Sequence, residues 1–300
     1  MPYRNIFKKK INKLCSRSFD DKLFRDKKSN DALSRYGFVV FNKVIPDDVI
    51  LGLRELYNQI RQSKDFEHTD FFINSVSFNS KEIRQQTYEQ VNLAVKSYVG
   101  EILNIDRLRF PISVGYCINP AHSVSGSRPH QDPSLVDETT GNSLVLWISL
   151  SDTEVTNGCL HVIPRSHLFG NHFRSNYHMK WNFEPFIDVI NEHMVPVPTR
   201  AGDVIVFDPA LIHGSTVNKT NADRLAIQIS TVPSDKELVT VVEENTLFKD
   251  FAVLYKIDEG YFTEEHVSKI PSQRYPVLNK KEIDYYYTKQ SFLELLNNSK

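Results

Sequence analysis

The apolar residues of this chain follow one spacing before about residue 110 and another after it. Between residues 49 and 60, and again between residues 81 and 103, they recur at steps of three and four. This spacing predicts two helices, each with one apolar face. Asp47 or Asp48 suits the first of them as an N-cap. The apolar run at residues 38–41 predicts a short strand.

From about residue 110 the apolar runs become short and rich in Val, Ile and Leu, as in β-strands. Turn signals separate them, for example Asn119-Pro120 and Asn157-Gly158. Many short strands at this spacing favour a sandwich or a jelly-roll barrel. The runs cover residues 112–118, 143–150, 159–163, 203–208 and 224–232.

No linker rich in Pro, Gly or Ser divides the chain. We therefore expect a basic N-terminal arm over residues 1–32 and a single domain over residues 33–300. The domain is predicted to be mainly β with flanking helices. Its jelly-roll core covers about residues 108–235, and a helical C-terminal extension covers about residues 236–300.

Composition excludes several classes of protein. The 300 residues are 40% hydrophobic and 24% charged, which argues against a disordered chain, a collagen or a small disulfide scaffold. The formal net charge of −1 provides no overall basic field for nucleic acid. Residues 1–30 differ, with ten Lys and Arg against three Asp. Such an arm is typical of a solvated terminus, and a weak contact with an anionic surface is the alternative.

The cysteines and the N-terminus bear on location. Cys15, Cys117 and Cys159 form neither a disulfide framework nor a CxxC metal pair, which fits a reducing compartment. Charges interrupt every apolar run near the N-terminus, so no signal peptide is expected. No apolar stretch approaches the length of a transmembrane helix. We expect a cytoplasmic protein.

Two sites read His-x-Asp, a pattern that places both side chains on one face of an extended chain. They are His68 with Asp70 and His130 with Asp132. The second site precedes a predicted strand, and His213 follows another predicted strand 83 residues after His130. Together these three residues would form a 2-His-1-carboxylate triad, the ligand set of non-haem Fe(II) oxygenases. His68 and Asp70 are expected to be surface residues.

An anion-binding group lies close to the third ligand. Arg224 opens a predicted strand and shares one face of it with Ala226, Gln228 and Ser230. A guanidinium that points into a barrel requires an anion, and its planar fork suits a carboxylate. Ser215 offers a hydroxyl to the same anion.

The chain resembles the phytanoyl-CoA dioxygenase family, whose members are Fe(II)- and 2-oxoglutarate-dependent oxygenases. The resemblance rests on His130-Gln131-Asp132, on LIHGSTVNKTNADR with its His and Arg eleven residues apart, and on GFVVFNKVIPDD and NGCLHVIPRSH. It spans roughly residues 33–232. It implies a double-stranded β-helix, which is a cupin-like jelly-roll, and it implies Fe(II), 2-oxoglutarate and O2 as cofactors.

The resemblance also assigns roles to residues. It implies that His130, Asp132 and His213 bind the metal. It implies that Arg224 and Ser215 bind the distal carboxylate of 2-oxoglutarate, and that Trp147 lines the co-substrate pocket. His161 and His167 would flank a structural corner.

The resemblance favours hydroxylation of an unactivated C–H bond of a small molecule. Halogenating members replace the carboxylate ligand with a small residue, whereas Asp132 is present here. Desaturation, epimerisation and cyclisation use the same triad and remain alternatives. A catalytically idle jelly-roll that binds a metal or a small ligand is a further alternative. A cupin-type sugar isomerase would not require Arg224.

The substrate is the least specified part of the prediction. The loop over residues 120–141 carries two ligands and should border the mouth of the site. Arg128, Tyr116 and His122 lie in or next to it and are candidate substrate-binding residues. They favour a polar or anionic metabolite.

Overall fold

The computed structural model describes residues 9–15, 22–170, 173–175, 181–247 and 249–298. The α-helices are α1 (Lys27–Tyr36), α2 (Asp47–Arg61), α3 (Lys81–Ile102), α4 (Ile187–His193), α5 (Tyr261–Glu264) and α6 (Lys289–Asn298). The strands are β1 (Lys9–Lys10), β2 (Phe38–Phe41), β3 (Ile73–Asn74), β4 (Leu108–Asn119), β5 (Leu144–Ser149), β6 (Leu160–Val162), β7 (Val195–Val197), β8 (Val204–Phe207), β9 (His213–Ser215), β10 (Arg224–Pro233), β11 (Val239–Asn245), β12 (Asp250–Lys256), β13 (Val277–Glu282) and β14 (Tyr285–Tyr286).

Two antiparallel sheets form the core. The larger has the strand order β2-β8-β5-β10-β4-β3, and the smaller has the order β7-β6-β9. Trp147 and Phe207 of the larger sheet share one buried apolar cluster with Leu160 and Val162 of the smaller sheet. The two sheets therefore pack face to face as a jelly-roll, which confirms the predicted fold class. Each of the five predicted strand runs contains a strand.

The outer face of the larger sheet is covered by helices α2 and α3. Leu225, Ile227 and Ile229 of β10 lie in the same buried cluster as Leu53 of α2 and Val95 of α3. Because side chains alternate along a strand, the intervening residues of β10 point between the two sheets. The predicted division of this strand into two faces is correct, and it directs Arg224 inward.

The two predicted helices are present. Helix α3 begins after Ser80, whose side chain accepts a hydrogen bond from the Ile83 amide. Helix α2 has Pro46 at its N-cap position, without a side-chain cap. Asp47 and Asp48 instead lie in the first turn, where carboxylates interact favourably with the helix dipole. The predicted N-cap is therefore displaced by one or two residues.

The predicted boundary at residue 32 falls inside helix α1 and is wrong as a structural division. Leu23 and Phe24 precede this helix and are buried in the main core, together with Leu33. Gly37 ends the helix with φ +84°, a left-handed conformation that favours glycine. The rest of the basic arm includes residues 1–8 and 16–21, which lie outside the described residues.

The C-terminal extension is mainly β, so the helical prediction for residues 236–300 is wrong. Strands β11, β12 and β13 form an antiparallel sheet. Val239 and Val241 of β11 are buried against Ala252 and Leu254 of β12, at a period of two and not of three to four. Near the end of the chain the helix is confined to α6. Before it, β14 pairs with β1.

A search of the described residues finds no helix with the length and apolar character needed to cross a membrane.

Candidate metal centre and anion pocket

His130 and His213 meet because their backbones pair. The His130 amide donates to the His213 carbonyl at 2.8 Å, and the His213 amide donates to the His130 carbonyl at 2.9 Å. The Asp132 amide donates to the Pro209 carbonyl at 2.8 Å. These bonds join the His-x-Asp segment to the start of β9, so residues 83 positions apart in sequence share one edge of the smaller sheet.

The three predicted ligands form a compact cluster. His130 Nε2 lies 3.5 Å from Asp132 Oδ1, and His213 Nε2 lies 3.7 Å from Asp132 Oδ2. One donor atom from each residue lies within 4.8 Å of the others. Within the described parts of the chain, no other group of three His, Cys, Asp or Glu side chains is arranged in this way.

Backbone carbonyls orient both imidazoles. His130 Nδ1 lies 2.7 Å from the Arg128 carbonyl, and His213 Nδ1 lies 2.9 Å from the Leu211 carbonyl. A carbonyl only accepts, so each Nδ1 carries the proton and donates it. Each Nε2 lone pair is thereby left free for a metal.

Burial and mutual charge shift the pKa values of all three predicted ligands. Burial, together with the charge of His130, lowers the pKa of His213 to about 4. Burial also opposes charge on His130, but the hydrogen bond to Asp132, the charge of Asp132 and the bond to the Arg128 carbonyl together outweigh burial and raise the pKa of His130. Burial would raise the pKa of Asp132, but the charges of the two histidines lower it. Asp132 is therefore a carboxylate at neutral pH, and the set fits a divalent iron ion.

A chain of amide hydrogen bonds orients the Asp132 carboxylate. The Val76 amide donates to Asn74 Oδ1 at 3.1 Å, which leaves Asn74 Nδ2 to donate to Gln228 Oε1 at 2.6 Å. Gln228 Nε2 then donates to Asp132 Oδ2 at 2.8 Å. Because a backbone amide can only donate, the direction of every bond in this chain is fixed.

Gly115 makes room for this chain. It pairs with Gln228 across β4 and β10. A Cβ at this position would lie 2.1 Å from Asn74 Oδ1 and 2.9 Å from the Val76 amide nitrogen. Any larger residue would displace Asn74, so the glycine is required by the close approach of that side chain.

Arg224 is a buried cation with unpaired donors. Its side chain is 1% exposed, and its guanidinium lies over the rings of Trp147 at 5.2 Å and Phe72 at 5.6 Å. Nη2 donates to Ser215 Oγ at 3.4 Å, whereas Nε and Nη1 have no hydrogen-bond partner among the described residues. Burial lowers the pKa of Arg224 to about 10, so it remains charged at neutral pH. Donors of this kind call for a buried anion.

A cavity of about 110 Å³, which we call the triad cavity, connects these features. The predicted metal ligands form one part of its wall. Trp147 and Ser215, which both contact Arg224, form another part. The predicted metal ligands and Ser215 therefore face a common space, and Arg224 contacts the wall of that space.

Comparison with known proteins agrees with this geometry. The family model described as phytanoyl-CoA dioxygenase matches residues 33–226. The chain belongs to this family. A curated family member from Arabidopsis thaliana, named phytanoyl-CoA dioxygenase, is 33% identical over 110 residues. That alignment covers 36% of this chain and 38% of the relative, so the chain spans well under half of the relative's length.

Solved structures share the fold at low sequence identity. The carbocyclase SnoK from nogalamycin biosynthesis, described as non-heme and alpha-ketoglutarate dependent, has a TM-score of 0.55 and 14% identity over 85% of this chain and 96% of its own. EctD from S. alaskensis, solved with 2-oxoglutarate and 5-hydroxyectoine, has a TM-score of 0.54 and 18% identity. The match covers 79% of this chain and 89% of EctD. These similarities establish the jelly-roll fold.

Tyr116, one of the predicted substrate-binding residues, does not reach the site. It points to the outer face of the larger sheet, where its hydroxyl donates to the Leu53 carbonyl at 2.8 Å and its ring packs near Tyr57. The neighbouring Gly115 and Cys117 occupy the inner face instead. The prediction for Tyr116 was wrong because both faces of β4 are buried, so hydrophobicity does not reveal which one faces the cavity.

Arg128 and His122 lie away from the triad cavity. Arg128 is exposed and forms an ion pair with Glu184 at 2.6 Å. It borders an open groove of about 520 Å³, which also contains Lys219. His122 is exposed, with φ 52°. Their roles in substrate binding remain predictions.

His68, His161 and His167 lie outside the metal cluster, as expected. His68 and Asp70 are exposed and lie outside the metal cluster, and His68 packs against Phe66. His167 is buried, with Nε2 3.2 Å from the Ser34 carbonyl. His161 Nδ1 lies 3.0 Å from the Cys159 carbonyl.

Sequence reasoning missed Phe72, Asn74 and the role of Gln228. Gln228 had one signal, since alternation places it on the same face of β10 as Arg224. Asn74 lies in the short strand β3, which pairs with the end of β4, and Phe72 directly precedes this strand. A two-residue strand has no readable period, so nothing in the sequence connected them with the site.

Replacement of Gln228 by Leu tests the amide chain. The change keeps a similar size but removes the hydrogen bond to Asp132, so the carboxylate should lose its fixed orientation. We expect a metal affinity about 10–100-fold weaker, the usual range for groups that orient ligands. Titration of the protein with Co²⁺, followed by its absorbance, measures this affinity.

Gln290→Leu is the matched control, because Gln290 is exposed and bonds only to Glu294 among the described contacts. It should leave Co²⁺ affinity unchanged. Wild-type affinity in Gln228→Leu would show that Asp132 is held without the amide chain.

Proposed function

We propose that this protein is an Fe(II)- and 2-oxoglutarate-dependent dioxygenase that hydroxylates an unactivated C–H bond of a small, polar or anionic metabolite. The observation that carries the proposal is the buried Arg224, whose Nε and Nη1 have no hydrogen-bond partner among the described residues. Arg224 contacts Ser215 and Trp147, which line the same cavity as the three predicted ligands. A dicarboxylic acid satisfies both features at once, since one end chelates the metal and the other binds the guanidinium.

The first proposed role is metal binding. His130, Asp132 and His213 would hold Fe(II) through two Nε2 atoms and a carboxylate oxygen. Bound iron supplies the oxygen activation that couples decarboxylation of 2-oxoglutarate to oxidation of the substrate. Three protein ligands would leave coordination positions for the co-substrate and for oxygen.

Arg224 and Ser215 would bind the distal carboxylate of 2-oxoglutarate. Ser215 Oγ accepts hydrogen bonds from the Ser127 amide at 3.1 Å and from Arg224 Nη2. Its own hydroxyl proton is therefore available to the anion. Trp147 and Phe72 flank the guanidinium and keep water away, which strengthens the pairing between guanidinium and carboxylate.

Two alternatives share parts of this site. Desaturation, epimerisation and cyclisation would use the same ligands, and the substrate decides among them. A catalytically idle jelly-roll would bind a metal or a small anion without turnover. The complete ligand set together with the buried Arg224 favours catalysis, because an idle jelly-roll would not require all of these groups at once.

Succinate formation tests the proposed function. The purified protein is incubated with Fe(II), 2-oxoglutarate and a metabolite library, and mass spectrometry follows succinate and the gain of one oxygen by a library member. We expect succinate release that requires Fe(II) and is stimulated by substrate. Binding of 2-oxoglutarate without any succinate would support the idle jelly-roll instead.

Location and partners also remain proposals. Cys117 and Cys159 are buried free thiols, which fits the proposed cytoplasmic location. The expected partner is a small-molecule substrate and not nucleic acid, and a weak contact of the basic arm with an anionic surface is retained as a proposal.

A further inference from the structure

A second cavity, of about 100 Å³, lies on the far side of Asp132 and Gln228 from Arg224, and we call it the serine cavity. It shares Asn74, Asp132 and Gln228 with the triad cavity. Arg224 opens β10 and Ser230 lies six residues further along, at about 3.3 Å per residue and therefore roughly 20 Å away. Gln228, which donates to Asp132, lies between these two ends of β10, so a molecule in the serine cavity would approach Asp132 from the side opposite Arg224.

Three serines from three different chain segments line this cavity. Ser230 pairs with Ser113 on β4 and with Val145 on β5. Ser143 precedes Val145 by two residues and so points to the same face. The Ser143 side chain is buried, and within the described parts of the chain its Oγ has no hydrogen-bond partner. A buried hydroxyl without a partner is unfavourable, so Ser143 indicates a missing polar ligand.

The serine cavity is uncharged apart from one metal ligand. Among the described residues that line it, Asp132 is the one ionisable group, and the others are Ser, Asn, Gln, Gly, Pro and apolar side chains. No Lys, Arg or His is among the described residues that line the cavity, so a carboxylate or phosphate buried here would have no basic side chain to pair with. The basic side chains of Arg128 and Lys219 border the open groove instead, which shares no lining residue with the serine cavity.

The roof of the serine cavity comes from the C-terminal extension, beyond the family match at residues 33–226. Phe262 of α5 and Val267 line it and are buried in one apolar cluster with Leu135. Buried Arg84 of α3 donates to the Phe262 carbonyl at 3.2 Å and to the Thr263 carbonyl at 3.1 Å. The roof is therefore fixed to the main core and is a property of this chain's own extension.

We propose that the serine cavity binds the reacting part of the substrate, and that this part is an uncharged group bearing hydroxyls or amides. Ser143 and Ser230 would hydrogen-bond this group, and Phe262 would form its apolar wall. The proposal rests on the proposed dioxygenase function. It narrows the polar or anionic substrate of that function to a molecule whose reacting end carries no charge.

Cysteine chemistry tests the charge selectivity without turnover. Ser143→Cys is treated with methyl methanethiosulfonate, which adds a neutral group, and with its sulfonatoethyl analogue, which adds an anion. Peptide mass spectrometry distinguishes this thiol from the native cysteines. Relative to the exposed control Ser268→Cys, we expect the neutral reagent to be favoured at position 143 by at least about 10-fold. An equal preference at the two positions would overturn the proposal that the cavity excludes anions.

The substrate screen supplies an independent arm, with neutral and anionic compounds in equal number. We expect the compounds that stimulate succinate release to be uncharged at the oxidised carbon and its neighbours. With such a compound, Ser143→Ala should raise the substrate KM about 10-fold, the size expected for one lost hydrogen bond to a buried group. The KM for 2-oxoglutarate should stay the same, as should both constants in the control Ser268→Ala.

The outcomes separate the two proposals. Stimulation by compounds that carry the anion at the oxidised end, or an unchanged substrate KM in Ser143→Ala, would overturn the substrate class while leaving the dioxygenase function intact. Absence of succinate under all conditions would overturn the dioxygenase function. The thiol reactivity of Ser143→Cys would then still decide whether the serine cavity excludes anions.

Discussion

Alanine in place of His130, Asp132 or His213 should reduce succinate formation to background and should strongly weaken metal binding in each single variant. A triad provides three protein ligands and no spare, so the loss of one leaves too few donors to hold Fe(II). The geometry supports this expectation, since one donor atom from each residue lies within 4.8 Å of the others. Anaerobic Fe(II) binding and succinate release are the two measurements.

His68→Ala and Asp70→Ala are the matched controls, because these residues form the other His-x-Asp pair and are exposed. Both variants should keep wild-type metal binding and turnover. Circular dichroism confirms that each triad variant is folded. Iron binding that survives in His130→Ala but is lost in His68→Ala would show that the wrong pair was assigned to the metal.

Arg224→Ala should weaken 2-oxoglutarate binding by on the order of 10–100-fold or more, because a charged hydrogen-bonded contact of about 1.5–3 kcal/mol is lost. Arg224→Lys should weaken it moderately, since an ammonium keeps the charge but loses the bidentate fork. Fe(II) binding should survive both changes, as neither touches a metal ligand. Titration of 2-oxoglutarate into the anaerobic Fe(II) protein, followed by the metal-to-ligand absorbance band, measures these affinities.

Arg224→Met distinguishes the role of Arg224 in 2-oxoglutarate binding from its effect on the stability of the ligand-free protein. In the ligand-free protein the guanidinium is 1% exposed with two unpaired donors, which is a destabilising state. A thioether of similar length should therefore raise the Tm of the ligand-free protein. It should also abolish the increase in Tm that 2-oxoglutarate causes in the wild type. Tight binding of 2-oxoglutarate to Arg224→Ala or Arg224→Met would show that the co-substrate has been assigned to the wrong residue.

Much of the site was predictable because it depends on short sequence patterns. A His-x-Asp pair needs only one extended segment to place both side chains together, and the alternation along β10 directed Arg224 inward. The same alternation gave no answer for β4, where both faces are buried between helices and the smaller sheet. Tyr116 was consequently assigned to the cavity although its hydroxyl bonds to the Leu53 carbonyl on the other face.

The C-terminal extension shows a second limit. Strand β11 buries four consecutive residues, Val239 to Val242, so no alternation of buried and exposed residues marks it as a strand. The helical prediction extended the pattern of helix α6 too far back along the chain. The burial of β11 against β12 decides its structure, and that contact joins residues that are distant before folding.

The sequence by itself determined the strand-rich core, the helices α2 and α3, the metal ligands, Arg224 and the family, because each depends on local periodicity or on a short motif. Only the tertiary structure revealed the Asn74–Gln228–Asp132 chain and the serine cavity roofed by Phe262. Asn74 and Gln228 are 154 residues apart, and Phe262 lies beyond the family match. Such groups share no local pattern, and they come together only when the sheets pack and the extension closes over them.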